Sequence, residues 1–434
     1  MVLRKNRTLT VVTNLCRWVL ALVLVVSGFV KAVDPIGSMY KLQEYVVAFS
    51  LGGFSDEMLT LVGMLQAALD FLLGVSLFVG IYRCLVTWLT PLVVFAFTAL
   101  TAVIYYSGLI VDCGCFGDAL TLSNGETLVK NIVLSVLSLV VFLGRRRLAY
   151  NISSKSRWMV TIFATFYIAL VGLVSLSHLP VVDFGPCAVG VDMRVLTGGE
   201  PGEYGVVELY ERNGESLEWS GGERPDSSWN YVGECTVLVK EPKSPVMGDF
   251  AILDWEADVD VMPALVADSG YVCIVMIEDV GKASVSCVDK VNELYDYCLE
   301  NEVQFVAATA SGDDDIVLWR KRTGAEYPIL WIEEGISRRV MRANPGLLLL
   351  RDGVVVGKWN VADLPTVERY SVSSTGMPDG VGSLLGYMRG WRFWLLLLVL
   401  PLLFMAMVDV VVCRKDIKAR AGKHNDKDNN ENDI

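Results

Sequence analysis

Residues 11–33, VVTNLCRWVLALVLVVSGFVKAV, decide the class of fold. A hydrocarbon core about 30 Å thick takes about 20 consecutive apolar residues in a helix, because lipid offers no partner to backbone N–H and C=O groups. This stretch is long enough, and only Arg17 and Lys31 interrupt it with charge. Five further windows qualify, at residues 58–82, 84–110, 127–144, 158–177 and 391–412. The fourth of the six is short and the second is broken by Asp70. The pattern predicts six spans.

Charge bias gives their direction, since basic residues collect on the cytoplasmic side. Arg4, Lys5 and Arg7 precede the first span, and Arg83 sits between the second and third. Arg145, Arg146, Arg147, Lys155 and Arg157 lie between the fourth and fifth, and Arg414, Lys415, Lys418, Arg420 and Lys423 follow the sixth. Residues 111–126 contain no Lys or Arg. Both termini are therefore expected in the cytoplasm, with the loop at 111–126 and a large segment after span five outside, as in the inner membrane of a bacterial envelope. A cleaved signal peptide over residues 1–33 is the rival reading. No small-x-small site follows it, and its removal would leave an odd number of spans. Asn151-Ile152-Ser153 falls on the cytoplasmic side and is discounted as a glycosylation acceptor.

The segment from residue 178 to 390 carries 35 acidic and 17 basic side chains, a net −18, against −12 for the whole chain of 434 residues. An acidic outer segment with no Lys/Arg stripe excludes nucleic acid as a partner. The bilayer is the partner that composition demands.

Ionisable groups inside spans are costly and mark candidate functional sites. Lys31 stands near the outer end of span one, Asp70 near the middle of span two, and Lys130-Asn131 open span four. Asp70 is expected to pair with a lysine or a polar neighbour inside a four-helix bundle; the plainer alternative is that the lysines reach to the headgroups. The sharpest chemical signal is Asp112-Cys113-Gly114-Cys115-Phe116-Gly117-Asp118. Two cysteines one Gly apart meet only across a tight turn, and so small a ring would be strained and readily exchanged. Cys113 and Cys115 are thus a candidate redox pair; a fixed bridge or two inert thiols are the structural alternatives. As metal ligands, two without nearby His are too few.

Ser27-Gly28-Phe29-Val30-Lys31 with Asp34-Pro35, Asp70 before Leu73-Gly74, the Cys113–Phe116 loop and Lys130-Asn131 together resemble the DoxX/MauE superfamily of four-helix membrane proteins, over roughly residues 17–147. MauE-type members are associated with maturation of a disulfide-rich envelope dehydrogenase subunit and resemble thiol-oxidising bundles of the vitamin K epoxide reductase kind. The resemblance implies a thiol-redox or maturation role. Asp70 stands where many relatives have Glu, and the bundle offers no second Cys pair to pass electrons on. The cofactor is unknown; a quinone is open, with no motif that names it.

Short alternating runs such as 205–210 and 235–239 make residues 179–263 a β-rich region. From residue 264 to 370, apolar strands alternate with helical stretches and close on a hairpin through Arg351-Asp352-Gly353-Val354, which indicates a small α/β sheet. Asn344-Pro345 ahead of that hairpin resembles the thioredoxin-like fold, in which a proline, often cis, precedes the penultimate strand. The Cys-x-x-Cys of a redox thioredoxin is missing: residues 278–287 read EDVGKASVSC, with Cys287 alone at the start of the helix. Cys298 lies about 16 Å further along such a helix, too far to bond to it. Cys187 with Cys235, or Cys273 with another cysteine, are further candidates for bridging, while Cys16, Cys84 and Cys413 read as membrane or cytoplasmic thiols.

The expected architecture is a four-span bundle (residues 1–150), a fifth span (157–178), the β-rich region, the thioredoxin-like domain, a linker (371–390), a sixth span (391–413) and a cytoplasmic tail (414–434). The expected role is thiol-redox or maturation support in the envelope, with envelope thiol proteins as clients. The alternative is a scaffold whose degenerate thioredoxin-like domain binds a partner. A transport path past Asp70 and Lys31 lacks the internal repeat and broken helices that transporters use.

Overall fold

The computed structural model describes residues 7–110, 114, 116–120, 122–148, 156–199, 202–212, 215–221, 226, 228–242, 244–285, 288–364 and 392–410. Cys113, Cys115, Cys287 and Cys413 lie outside the described residues, as do Asn151, the linker and the tail. The chain divides into two compact units, Met1–Gly185 with Glu368–Ile434, and Pro186–Val367.

Among the described residues of the first unit, six helices are long and apolar enough to cross a membrane. They are α1 (Arg7–Val33), α3 (Asp56–Val79), α4 (Arg83–Ser107), α5 (Asn124–Leu143), α6 (Arg157–Ser177) and α12 (Arg392–Val410), with the shorter α2 (Pro35–Ala48) between the first two. The span that reads as short in sequence begins three residues before its apolar run. Ser123 accepts from the Glu126 amide while Glu126 reaches back to the Ser123 amide, a reciprocal cap that satisfies two orphan donors. Helix α2 was not expected. Its start is nonetheless written in Asp34-Pro35: the aspartate accepts from Gly37 N at 2.8 Å, and proline occupies the first turn, where no N–H is needed.

Two glycines bring α1 and α3 together. A Cβ on Gly28 would stand 2.5 Å from Phe71 N, and one on Gly74 would stand 2.6 Å from Val25 N, so the backbones touch where side chains would otherwise separate them. Lys31 is one turn beyond Gly28, and Asp70 one turn before Gly74. Helix α6 and the residue before it reach α12 near both of its ends: Tyr167 donates to Trp394 O at 2.9 Å, and Ser156 Oγ donates to Asp409 Oδ1 at 2.7 Å.

The second unit is built on a seven-stranded sheet in the order β10-β9-β6-β7-β8-β4-β5. Its strands are β4 (Ile252–Asp254), β5 (Val259–Asp260), β6 (Tyr271–Ile277), β7 (Gln304–Thr309), β8 (Ile329–Ile332), β9 (Gly346–Arg351) and β10 (Val354–Asn360). β6, β7 and β8 run parallel, while β9 lies antiparallel to β6 on its other side. β6 is buried on both faces after its first residue, which explains why YVCIVMI is an unbroken apolar run. Four helices join this unit: α8 (Met262–Ala267), α9 (Val288–Glu300), α10 (Asp313–Thr323) and α11 (Glu334–Val340), after an earlier short α7 (Met193–Gly198). α9 buries Val288, Val291, Leu294 and Cys298, one stripe at helical spacing.

The structure divides residues 179–263 differently from the sequence reading. β1 (Glu203–Arg212), β2 (Glu215–Trp219) and β3 (Asn230–Lys240) form a separate three-stranded sheet in the order β2-β1-β3. β4 and β5 instead extend the main sheet, through Ile252 opposite Ile332. The Gly190–Met193 stretch also hydrogen-bonds to Gly353 and Val355. Strands of two and three residues carry no readable alternation, so only the pairing assigns them.

Candidate functional site

The four spans of the first bundle, with α2, line a partly open cavity of about 130 Å³ whose polar lining includes Lys31, Asp70, Lys130 and Asn131. Four residues singled out in sequence, up to a hundred positions apart, thus share one wall. Lys31 Nζ stands 2.6 Å from Asp70 Oδ2 and donates to Ser27 Oγ at 3.1 Å; Ser27 Oγ in turn donates to the same carboxylate oxygen at 3.3 Å. Lys31 is 8% exposed and Asp70 1%, so this is a buried ion pair. A lone charge would be prohibitive in such a place; each ion is tolerable because the other is there. The ammonium also lies 5.2 Å from the centre of the Phe97 ring, a cation–π contact.

The pair leaves one polar atom unanswered. Asp70 Oδ1 is buried without a hydrogen-bond partner among the described residues. Asn131, in contrast, donates to Thr101 Oγ1 at 2.8 Å, and Thr98 joins α4 to α5 through Ser135 at 2.8 Å and the Asn131 carbonyl at 3.2 Å. These are polar links between neighbouring helices in lipid, each able to hold the helices in register.

The two described residues that flank Cys115 in sequence also line the cavity. Gly114 has φ +58°, the left-handed region that favours glycine, and a Cβ there would meet the Lys41 stem at 2.9 Å. Phe116 presents its ring to Lys130, with Nζ 4.3 Å from the centroid. Lys41, Ser38 and Tyr45 of α2 and Gln66 of α3 complete the polar lining, and sequence reading missed all four. The Asp34-Pro35 cap was the signal that could have found the three on α2.

In the second unit, the peptide bond between Asn344 and Pro345 is cis. Asn344 Nδ2 donates to Asp279 O at 2.8 Å, and Ser284 N to Asn344 O at 3.4 Å, which binds the turn after β6 to the proline loop. Glu278 pairs with Arg338 at 2.9 Å. Cys273 and Cys298 are both fully buried, and the Cys298 thiol approaches Cys273 Sγ to 3.7 Å. The contact with Cys298 and burial push the Cys273 thiol well above its usual range. Cys187 and Cys235 do not form a disulfide with each other: Cys187 is buried, its sulfur 4.0 Å from Met247 Sδ, and Cys235 belongs to the separate three-stranded sheet.

This arrangement is that of a multi-pass membrane protein whose first spans hold a lysine-bearing cavity beside a carboxylate. Residues 9–144, which contain every residue of the cavity wall, match the family model described as methylamine utilisation protein MauE. The match stops before α6, so the rest of the chain lies beyond it. No curated protein and no solved structure matches the chain significantly.

Proposed function

We propose that the chain is a membrane-embedded accessory in the maturation of envelope proteins, exchanging disulfides through Cys113 and Cys115. The observation that carries this reading is the convergence of Gly114 and Phe116, which flank Cys115, on the cavity that also holds Lys31, Asp70 and Lys130. Lys31, Lys41 and Lys130 line that same cavity, and cations near a cysteine favour its thiolate form. The family description over residues 9–144 supports a place in methylamine utilisation, and the quoted motifs support wider DoxX/MauE kinship. The basic loops support cytoplasmic termini in an inner membrane and an outer side for both the cysteine turn and the acidic unit. For the second unit, the order of β6, β7 and β9 with Pro345 ahead of β9 supports a thioredoxin-like fold used to hold a client, since the sequence of residues 278–287 contains Cys287 but no Cys-x-x-Cys.

The test is differential alkylation of Cys113 and Cys115 in intact membranes, with and without a membrane-permeant reductant. A cycling pair is blocked from alkylation until reduced, and Cys113→Ser traps a mixed disulfide between Cys115 and a client. Thiols equally reactive in both conditions, with no trapped species, would overturn the exchange reading in favour of a scaffold.

A further inference from the structure

We infer that Cys273 and Cys298 form a reversible dithiol–disulfide couple, a staple that ties β6 to α9 inside the second unit. Position chooses the partners. Cys298 Sγ reaches Cys273 Sγ at 3.7 Å, and both side chains are wholly buried. Cys273 lies opposite Phe305 of β7 on one side and Leu349 of β9 on the other, so its strand is fixed in mid-sheet. Cys298 ends the buried stripe of α9, in the last turn of that helix. Cys187 meets Met247 instead, and Cys235 belongs to the separate three-stranded sheet. A disulfide holds its sulfurs at about 2.05 Å, so closing the bond takes roughly 1.7 Å of sulfur travel, the scale of a side-chain rotation.

Both oxidation states suit the same core. A buried thiol packs as a small apolar group with a weak donor, and the disulfide keeps both sulfurs and loses only two hydrogens. Neither state sets a charge or a strong donor among Val272, Ile274, Val275, Met276 and Ile277, all fully buried. The two cysteines stand 25 positions apart in the chain. A bond between them closes a ring that contains residues 278–287 and α9 as far as Cys298. Ring closure removes conformations of the unfolded chain, so the staple holds α9 against the sheet.

Access sets the timing. The thiolate is the species that exchanges, and contact with Cys298 and burial hold the Cys273 thiol well above its usual range. Exchange therefore waits until α9 lifts from β6, in folding or in local opening. The state then persists once the core closes. In forming the bond, each thiol gives up one proton and one electron. The acceptor is the disulfide of another thiol couple, whose S–S bond breaks and takes up both electrons and both protons as two thiols, through a mixed disulfide. This couple stands on the described residues and is independent of exchange at Cys113 and Cys115.

The full chain in nanodiscs is equilibrated across a graded series of reduced and oxidised glutathione, then quenched with acid, unfolded and alkylated. The incubation is warm and long enough for the α9 amides of the reduced chain to exchange completely with deuterium, so the core has opened. Peptide mapping is expected to find the Cys273 peptide joined to the Cys298 peptide, the linked species rising and falling reversibly along the series. Exchange of the α9 amides is expected to slow about tenfold or more in the linked chain, the lower end of what ring closure contributes. Cys298→Ala is expected to leave Cys273 free at every ratio; the parent chain decides the matter if that variant does not fold. Free thiols at every ratio, glutathione held singly on either cysteine, a linkage to another cysteine, or α9 exchange unchanged by the linkage would each overturn the staple. Cys113→Ser is expected to give the same linkage, so failure at the cysteine turn and failure of the staple are read separately.

Discussion

Among the described residues, each unit of this protein buries a reactive pair, and the two are solved differently. In the membrane bundle, Lys31 and Asp70 meet at 2.6 Å but leave Asp70 Oδ1 facing a cavity without a partner. In the α/β unit, Cys273 and Cys298 approach to 3.7 Å inside a packed core, both fully buried. The first pair is held by charge in a medium that penalises charge, and one carboxylate oxygen is left without a partner among the described residues. The second is held by packing, and the contact with Cys298 together with burial holds the Cys273 thiol well above its usual range. A buried pair signals a site when its chemistry is incomplete, and signals structure when packing closes over it.

The largest effect expected from breaking this contrast is in the bundle. Lys31→Met strands a buried carboxylate, a loss of about 3–5 kcal/mol for a pair broken on one side. Lys31→Met combined with Asp70→Leu removes both charges and should recover most of it. Thermal unfolding of the solubilised full chain measures this; a double variant no more stable than the single would show that the pair is not what the bundle depends on. Next in size is Gly74→Leu. Its side chain must displace the α1 backbone at Val25, so a loss near the upper end of the about 1–3 kcal/mol typical of overpacking is expected, together with a weakened Lys31–Asp70 pair. Unchanged unfolding in that variant would mean the two helices are not held at contact distance.

The smallest effect sharpens the thiol side. Because folding raises the Cys273 pKa, the folded state resists ionisation that the unfolded state accepts. Its contribution is complete below the unfolded thiol value of about 8.5 and declines as pH rises through and beyond it. The slope is at most about 1.4 kcal/mol per pH unit. Comparing unfolding at pH 8 and pH 10 in the parent chain and in Cys273→Val isolates it, since the tyrosines titrate in both. Equal pH dependence in the two proteins would assign the loss to other groups.

Much of the fold was legible because lipid and the β-sheet each impose a strict pattern. The six helices follow from apolar length alone, and β6 from an unbroken apolar run bounded by Gly270 and Glu278. Less was legible where identity depends on pairing. β4 and β5 are too short to show alternation, and only Ile252 meeting Ile332 places them in the main sheet. Helix α2 could have been read from Asp34-Pro35, but its residues 35–48 are neither apolar enough for a span nor polar enough for a plain loop. The suggestion that Cys187 and Cys235 bridge failed because spacing does not reveal which sheet a strand joins.

By itself, the sequence determined that the chain crosses a membrane, where its charged intramembrane residues fall, and that an α/β segment follows, since each of these is a local consequence of hydrophobic length or period. The tertiary structure alone decided that Lys31, Asp70, Lys130 and Asn131 share one cavity and that one carboxylate oxygen is left over. Helix packing through Gly28 and Gly74 sets those distances, and no pattern along a single chain records how closely two helices approach.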